Sequence, residues 1–178
     1  INGGAKVIMF PTQDSVWNLK RDHLPLPQRQ QAMGEQKKPI PVVGEDGKLV
    51  PAAEKILQII AQYPEVILSN GHVGADETLV LFERARELGI KRLVVEHPNS
   101  NMNWKDEELL RAADLGAIAA LSYNAYNPAV GKRDPAECVK FVRLLGPDRC
   151  VLITDGGQAY SPRPFETMRF FSEMLFEL

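Results

Sequence analysis

Three apolar runs in this chain end in residues that can bind a metal or move a proton. Ile67-Leu68-Ser69 leads into Asn70-Gly71-His72, Leu93-Val94-Val95 into Glu96-His97-Pro98, and Val151-Leu152-Ile153 into Thr154-Asp155-Gly156-Gly157-Gln158. Two imidazoles and a carboxylate are N, N and O donors, a set that suits zinc or a similar divalent ion. Such an ion lowers the pKa of bound water towards neutral, and a carboxylate such as Asp155 can take the water's proton as general base. Taken singly, each residue has a plainer reading: a lone histidine is commonly a satisfied structural group, and Asp155 can cap the turn at Gly156-Gly157. Their shared position, at the end of a strand, is what points to a cluster of His72, His97 and Asp155 as metal ligands, with Asp155 and His97 the catalytic pair.

Secondary candidates share that rim. Thr12 and Asp14 follow the first apolar run and either meet a substrate or cap the next turn. Asn70 either orients His72 through its second ring nitrogen, contacts substrate, or makes a strand-end turn. Gln158, beside Asp155, carries donors and an acceptor for a substrate. Tyr123, with Asn124 and Tyr126, follows the strand ending at Leu121 and is a candidate pocket lining. His23 is a candidate lid group, whereas Asp76 and Glu77 read as first-turn helix charges. Trp17 and Trp104 read as loop packing.

The elements that must position these residues alternate regularly. Ala5–Phe10 is a continuous apolar run, expected to be a strand buried on both faces. Residues 14–50 hold no lasting period, are broken by Pro25, Pro27, Pro39 and Pro41, and read as a lid-like insertion. Within it, Asp46-Gly47 between Val42-Val43 and Leu49-Val50 predicts a small hairpin. A helix from Pro51 carries Ile56, Ile60 and Tyr63 on one stripe. Strand 65–69, helix 75–88, strand 91–96, helix 105–115, strand 117–121, helix 135–145, strand 149–154 and helix 163–176 follow. Phe165, Met168, Phe171 and Leu175 are expected to face inward on the last helix.

Such alternation predicts parallel strands joined by right-handed crossovers, in a doubly wound sheet or a β/α barrel. Polar residues at every strand's C-terminal end favour the barrel, whose active sites are assembled there. Five βα units cannot close an eight-stranded barrel of about 250 residues, so about three units are expected upstream or on a second chain. The start at Ile1 rather than Met agrees with that. The expected fold class is therefore α/β, the C-terminal part, about five βα units, of a (β/α)8 TIM barrel, with one domain over residues 1–178.

Composition narrows the partners. The 178 residues are 44% hydrophobic and 25% charged with a formal net charge of −2, so no broad basic footprint for nucleic acid is present. A small-molecule substrate is expected. No apolar run approaches the roughly 20 residues that span a bilayer, and the start lacks a signal-peptide layout, so a cytoplasmic protein with no membrane partner is expected. Cys138 and Cys150 have no CxxC spacing and read as reduced, packed thiols.

The order of strand-end His72, strand-end His97 and final strand-end Asp155 resembles the amidohydrolase superfamily of metal-dependent hydrolases, covering the last five of its eight units. More narrowly, Asp46-Gly47-Lys48-Leu49-Val50-Pro51, Asn70-Gly71-His72, Val95-Glu96-His97-Pro98, Asp155-Gly156-Gly157-Gln158 and Pro162-Arg163-Pro164 look like an amidohydrolase-like branch. The resemblance implies that His72 is the fifth-strand ligand, His97 the sixth-strand histidine and Asp155 the eighth-strand aspartate. The family's first-strand His-x-His pair is absent, and Phe10-Pro11-Thr12 stands where a metal-bridging lysine or glutamate would. One metal is therefore favoured, most simply zinc, with iron or manganese as alternatives, and the pair must come from the missing segment or a second chain. The expected function is hydrolysis of an amide, cyclic amide or ester by a metal-activated water. The alternatives are a metal-dependent decarboxylase or lyase on the same scaffold and a catalytically silent barrel subunit, in either case with a possible homo-oligomer.

Overall fold

A computed structural model describes residues 1, 3–20, 38–100, 102–128, 131, 133–158 and 161–178. The chain is α/β, and every described strand pairing is parallel. It divides into two compact units, Ile1–Ile90 and Lys91–Leu178. Among the described residues no helix is long and apolar enough to cross a membrane.

In residues 1–90, β1 (Val7–Met9) pairs with β2 (Ile67–Ser69) in the register Val7↔Ile67, Ile8↔Leu68, Met9↔Ser69. The expectation that this first run is buried on both faces needs correction: Val7 and Met9 are 47% and 49% exposed, and only Phe10, just past the strand, is buried. The two exposed residues sit on the same side of the pleat, so one face of β1 is left uncovered.

The insertion is partly ordered. Its described start is a short helix, α1 (Val16–Lys20), where no helix was expected. Ser15 caps it by accepting from Asn18 N at 3.0 Å, the usual way a hydroxyl satisfies a helix's first donors. The hairpin forms at Asp46-Gly47: Gly44 N donates to Lys48 O at 2.8 Å, Val50 N to Val42 O at 3.0 Å, and Val43 bridges Leu49 antiparallel. Residues 21–37, with the candidate His23, lie outside the described residues, so the lid reading of 14–50 extends beyond them.

Helix α2 (Pro51–Ile60) starts with proline in its first turn, where the missing N–H costs nothing. Its buried stripe is Ala53, Leu57 and Ile60, and Ile56 is 40% exposed. The stripe through Ile56 and Tyr63 has the same spacing. The helix stops at Ile60, however, and packing selects the stripe three residues earlier, which keeps Ile60. Helix α3 (Ala75–Glu87) buries Leu81, Phe82 and Ala85 and is stopped at Gly89, whose φ of 84° suits only glycine without strain.

In residues 91–178, β3 (Leu93–Glu96), β4 (Ala117–Ser122) and β5 (Cys150–Ile153) are paired in sequence order. Helices α4 (Asp106–Asp114) and α5 (Ala136–Leu145) are the crossovers, and α6 (Pro164–Phe176) follows β5. Right-handed crossovers between strands taken in order put both connecting helices on one face. The pleat agrees: Leu93, Val95, Ala117, Ala119 and Leu121 share one face and are buried. On the opposite face Ile118 and Val151 are 39% and 44% exposed. On α6, Phe165 is 68% exposed and so does not face inward as expected; Thr167 and Phe171 do. Thr167 turns in because its hydroxyl donates to Pro162 O at 3.2 Å. Cys138 and Cys150 are free thiols, as expected.

Candidate functional site

The C-terminal ends of β3, β4 and β5 are joined by side chains. Asn99, fully buried two residues past His97, uses its whole amide: Oδ1 accepts from Ser122 N at 3.0 Å, and Nδ2 donates to Ser122 O and to the Tyr126 hydroxyl, both at 2.9 Å. Asn99 thereby stands in for one rung of a backbone ladder between the loop after β3 and the last residue of β4. The Ser122 hydroxyl in turn accepts from Asn124 N at 3.0 Å and reaches Asp155 Oδ2 at 3.5 Å. Asn124 Nδ2 donates to the same Oδ2 at 3.3 Å. A second tie runs from Arg133, whose Nη1 donates to Ser100 O at 2.7 Å while its Nε is paired with Glu137 at 2.7 Å.

His97 is held by its own turn. Ser100 Oγ donates to His97 O at 2.8 Å and lies 3.2 Å from His97 Nδ1. The backbone at His97 has φ 29° and at Asp155 φ 47°. With Asn103 these are the non-glycine residues of positive φ among the described residues. The left-handed region costs an L-residue on the order of 1–3 kcal/mol, and such conformations concentrate at functional sites. Gln158 Nε2 donates to Asp155 O at 2.9 Å, which stabilises that turn.

Tyr123 lies edge-on to Phe171 of α6, with ring centroids 5.8 Å apart. Tyr126 is buried, and its hydroxyl accepts from Asn99, so its polar end is occupied inside the fold. Burial raises its pKa and pushes the Cys138 thiol up to about 11. Neither group ionises near neutral pH.

The strand ends of residues 1–90 are built differently. His72 N donates to Pro11 O at 3.0 Å, and His72 O accepts from Ser15 Oγ at 2.6 Å. Gly71 has φ 61°, and a Cβ there would collide with the Phe10 carbonyl oxygen. Asn70 is fully buried, and its Nδ2 donates to Val73 O at 3.3 Å and Thr78 Oγ1 at 3.2 Å. Its amide nitrogen thus ties the turn to the start of α3. Thr12 O accepts from Ser15 N at 3.2 Å, closing a turn, whereas Asp14 O accepts from Ile40 N at 2.8 Å in the parallel bridge between Ser15 and Ile40. Glu77 Oε1 accepts from Val43 N at 3.2 Å, which ties the first turn of α3 to the hairpin.

A groove of about 410 Å³ on this unit is lined by Gly47, Lys48, Leu49, Glu54, Arg84 and Glu87 among others. None of the strand-end candidates lines it. Its Arg84 is paired with Glu54 at 2.7 Å and Glu87 at 2.8 Å, and Arg84 holds the Glu54 carboxyl below its usual range. This is a clasp between α2 and α3.

In donor chemistry His97 Nε2 and the Asp155 carboxylate fit a divalent metal. Among the described residues no group of three or more His, Cys, Asp or Glu is gathered closely enough to hold one. Asn99, Ser15 and the hydroxyl of Ser122 were missed as organising groups by the sequence reading. The signal available for Ser122 was a single polar residue ending the apolar run Ala117–Leu121.

A family described as one of unknown function (DUF6282) matches residues 1–120. No curated protein and no solved structure matches the chain.

Proposed function

The chain belongs to that family of unknown function, and from its strand ends we propose that it is a metal-dependent hydrolase acting on an amide, cyclic amide or ester of a small molecule. The observation that carries the reading is the left-handed backbone at both His97 and Asp155, each at the C-terminal end of a parallel strand. Strain retained at two donors of a metal-binding type, and at neighbouring loops only in Asn103, is the pattern of a site that the fold over-determines. The sequential strand order of residues 91–178, with helices on one face, supports part of a TIM barrel over a doubly wound sheet, whose order reverses.

His97 and Asp155 would hold the metal, with a His-x-His pair supplied from outside these residues. When bound, a divalent ion makes water acidic enough to attack near neutral pH. Ser122 and Asn124 engage Oδ2 of Asp155, which fixes the carboxylate plane and leaves Oδ1 to take the proton and return it to the leaving group. Ser100 holds the turn at His97 through the His97 carbonyl and lies against its Nδ1.

Metal analysis of the full-length protein is expected to find close to one equivalent of zinc, iron or manganese, lost in His97→Ala and Asp155→Ala. A folded protein that neither carries nor takes up metal defeats the proposal. A panel of amides, lactams, esters and carboxylated aromatics then identifies the substrate, and decarboxylation without hydrolysis would move the reaction to the lyase class.

A further inference from the structure

The outward side of α6 is largely apolar. Thr167 and Phe171 face inward, Phe171 against the rings of Tyr123 and Tyr126. At about 100° per residue, the opposite side of the helix carries Phe165, Arg169, Ser172 and Phe176, all within about 60° of one another. Phe165 and Phe176 are 68% and 91% exposed. The hydroxyl between them is already satisfied: Ser172 Oγ donates to Met168 O at 2.9 Å, so covering it strands no polar group. We propose that this side is a dimer interface, in which α6 lies antiparallel to α6 of a second copy of the chain.

The placement of residues along the helix selects a second copy as the occupant. Phe165 and Phe176 lie equally far from the point between Phe170 and Phe171, and so do Arg169 and Ser172. A two-fold axis through that point lays each Phe165 on Phe176 of the other copy, the reciprocal pairing of an isologous interface. Arg169 and Glu173 share one flank of this side, and the axis keeps matching flanks together. It therefore brings Arg169 to within one residue's rise, about 1.5 Å along the helix, of Glu173 of the second copy, and opposite charges meet twice. Glu166, on the same flank, is turned back to the helix start, where it accepts from Arg163 N at 3.2 Å. Within its own chain Arg169 is loosely engaged, 3.5 Å from Glu173 and stacked over Phe170, with both charged groups largely in solvent. Exchanging that pair for one across the axis costs little. A buried phenylalanine removes roughly 150–250 Å² from water, so four rings remove on the order of 600–1,000 Å². With the stems of Arg169 and Glu173 added, the interface reaches the low end of specific interfaces, about 1,200 Å², which fits a dimer of roughly micromolar Kd.

The test is sedimentation velocity of the full-length protein over roughly 1–100 µM, where a monomer–dimer equilibrium is expected. Phe165→Ser is expected to weaken the dimer about tenfold or more, and if that variant does not fold, Phe176→Ser in the last turn carries the same comparison. Arg169→Glu and Glu173→Arg are each expected to weaken it more than about tenfold, because each sets like charges across the axis. An equimolar mixture of those two variants is expected to restore association, each chain supplying the sign that the other lacks. Mixing cannot mend an ion pair lost within one chain, so recovery reports the interface and not the stability of the helix. Full-length protein that stays monomeric at about 100 µM overturns the proposal, including the case in which another part of its own chain covers this side. So does a dimer that survives a folded phenylalanine variant, which would put the contact elsewhere, and so does a mixture no more associated than its two components.

Discussion

After β2, Asn70 turns back on its own segment, bonding Val73 and Thr78, and Ser15 from the loop after β1 reaches only backbone, the carbonyl of His72. After β3, β4 and β5 polar side chains turn towards one another, so that Asn99, Ser122, Asn124 and Asp155 form one connected set. Both regions start from an apolar run that ends in polar residues. In the first, strain is removed by placing glycine at the left-handed position, Gly71 with φ 61°. In the second, the left-handed positions are His97 and Asp155, side chains with chemistry to offer. One turn is built for closeness of backbones and the other keeps functional groups where the backbone resists them.

The largest effect expected from breaking this contrast is at Gly71. Gly71→Ala adds a Cβ against the Phe10 carbonyl in a conformation alanine disfavours, and is expected to cost about 3 kcal/mol in urea unfolding. A cost below about 1 kcal/mol would mean that the two strand ends are not locked.

Next comes a pH effect confined to the second region, which contains both free thiols. The Cys138 thiol titrates near 9 in the unfolded chain and is pushed up to about 11 by burial when folded. The folded state therefore keeps a proton that the unfolded chain has lost. Its stabilising contribution is complete below pH 9 and is lost as pH rises towards 11. The loss is expected to be about 2 kcal/mol, and Cys138→Ala should flatten the profile.

The smallest effect is the most discriminating. Asp155→Gly relieves a left-handed residue and gives up two long hydrogen bonds from a side chain that is largely in solvent, so it is expected to raise stability by about 1 kcal/mol. His72→Gly, at a residue outside the set of positive φ, is expected to lower it by about 0.5–1 kcal/mol. Denaturant midpoints of the two variants moving in the same direction would remove the distinction between the regions.

Much of the βα order follows from local pattern. Apolar runs of strand length, helical stripes, and glycines such as Gly89 past helix ends are short-range features that need no tertiary contact. The Asp46-Gly47 turn was legible for the same reason: glycine at φ 75° is the local requirement of that hairpin. Less was legible where two answers shared one period, as with Ala53-Leu57-Ile60 against Ile56-Ile60-Tyr63, since spacing is identical and only the neighbouring surface chooses between them. Phe165 was misplaced inward for a related reason: hydrophobicity does not say which side of a first turn is covered.

For the candidate site, residue type and strand-end position singled out His72, His97 and Asp155 before any coordinates, because a donor's chemistry is a property of its side chain. Tertiary structure alone decided the rest. Asn99 and Ser122 lie 23 residues apart and meet only because β3 and β4 pair in parallel. The strain at His97 and Asp155 likewise belongs to no residue by itself: a backbone is held in a costly conformation only by the packing and hydrogen bonds that surround it.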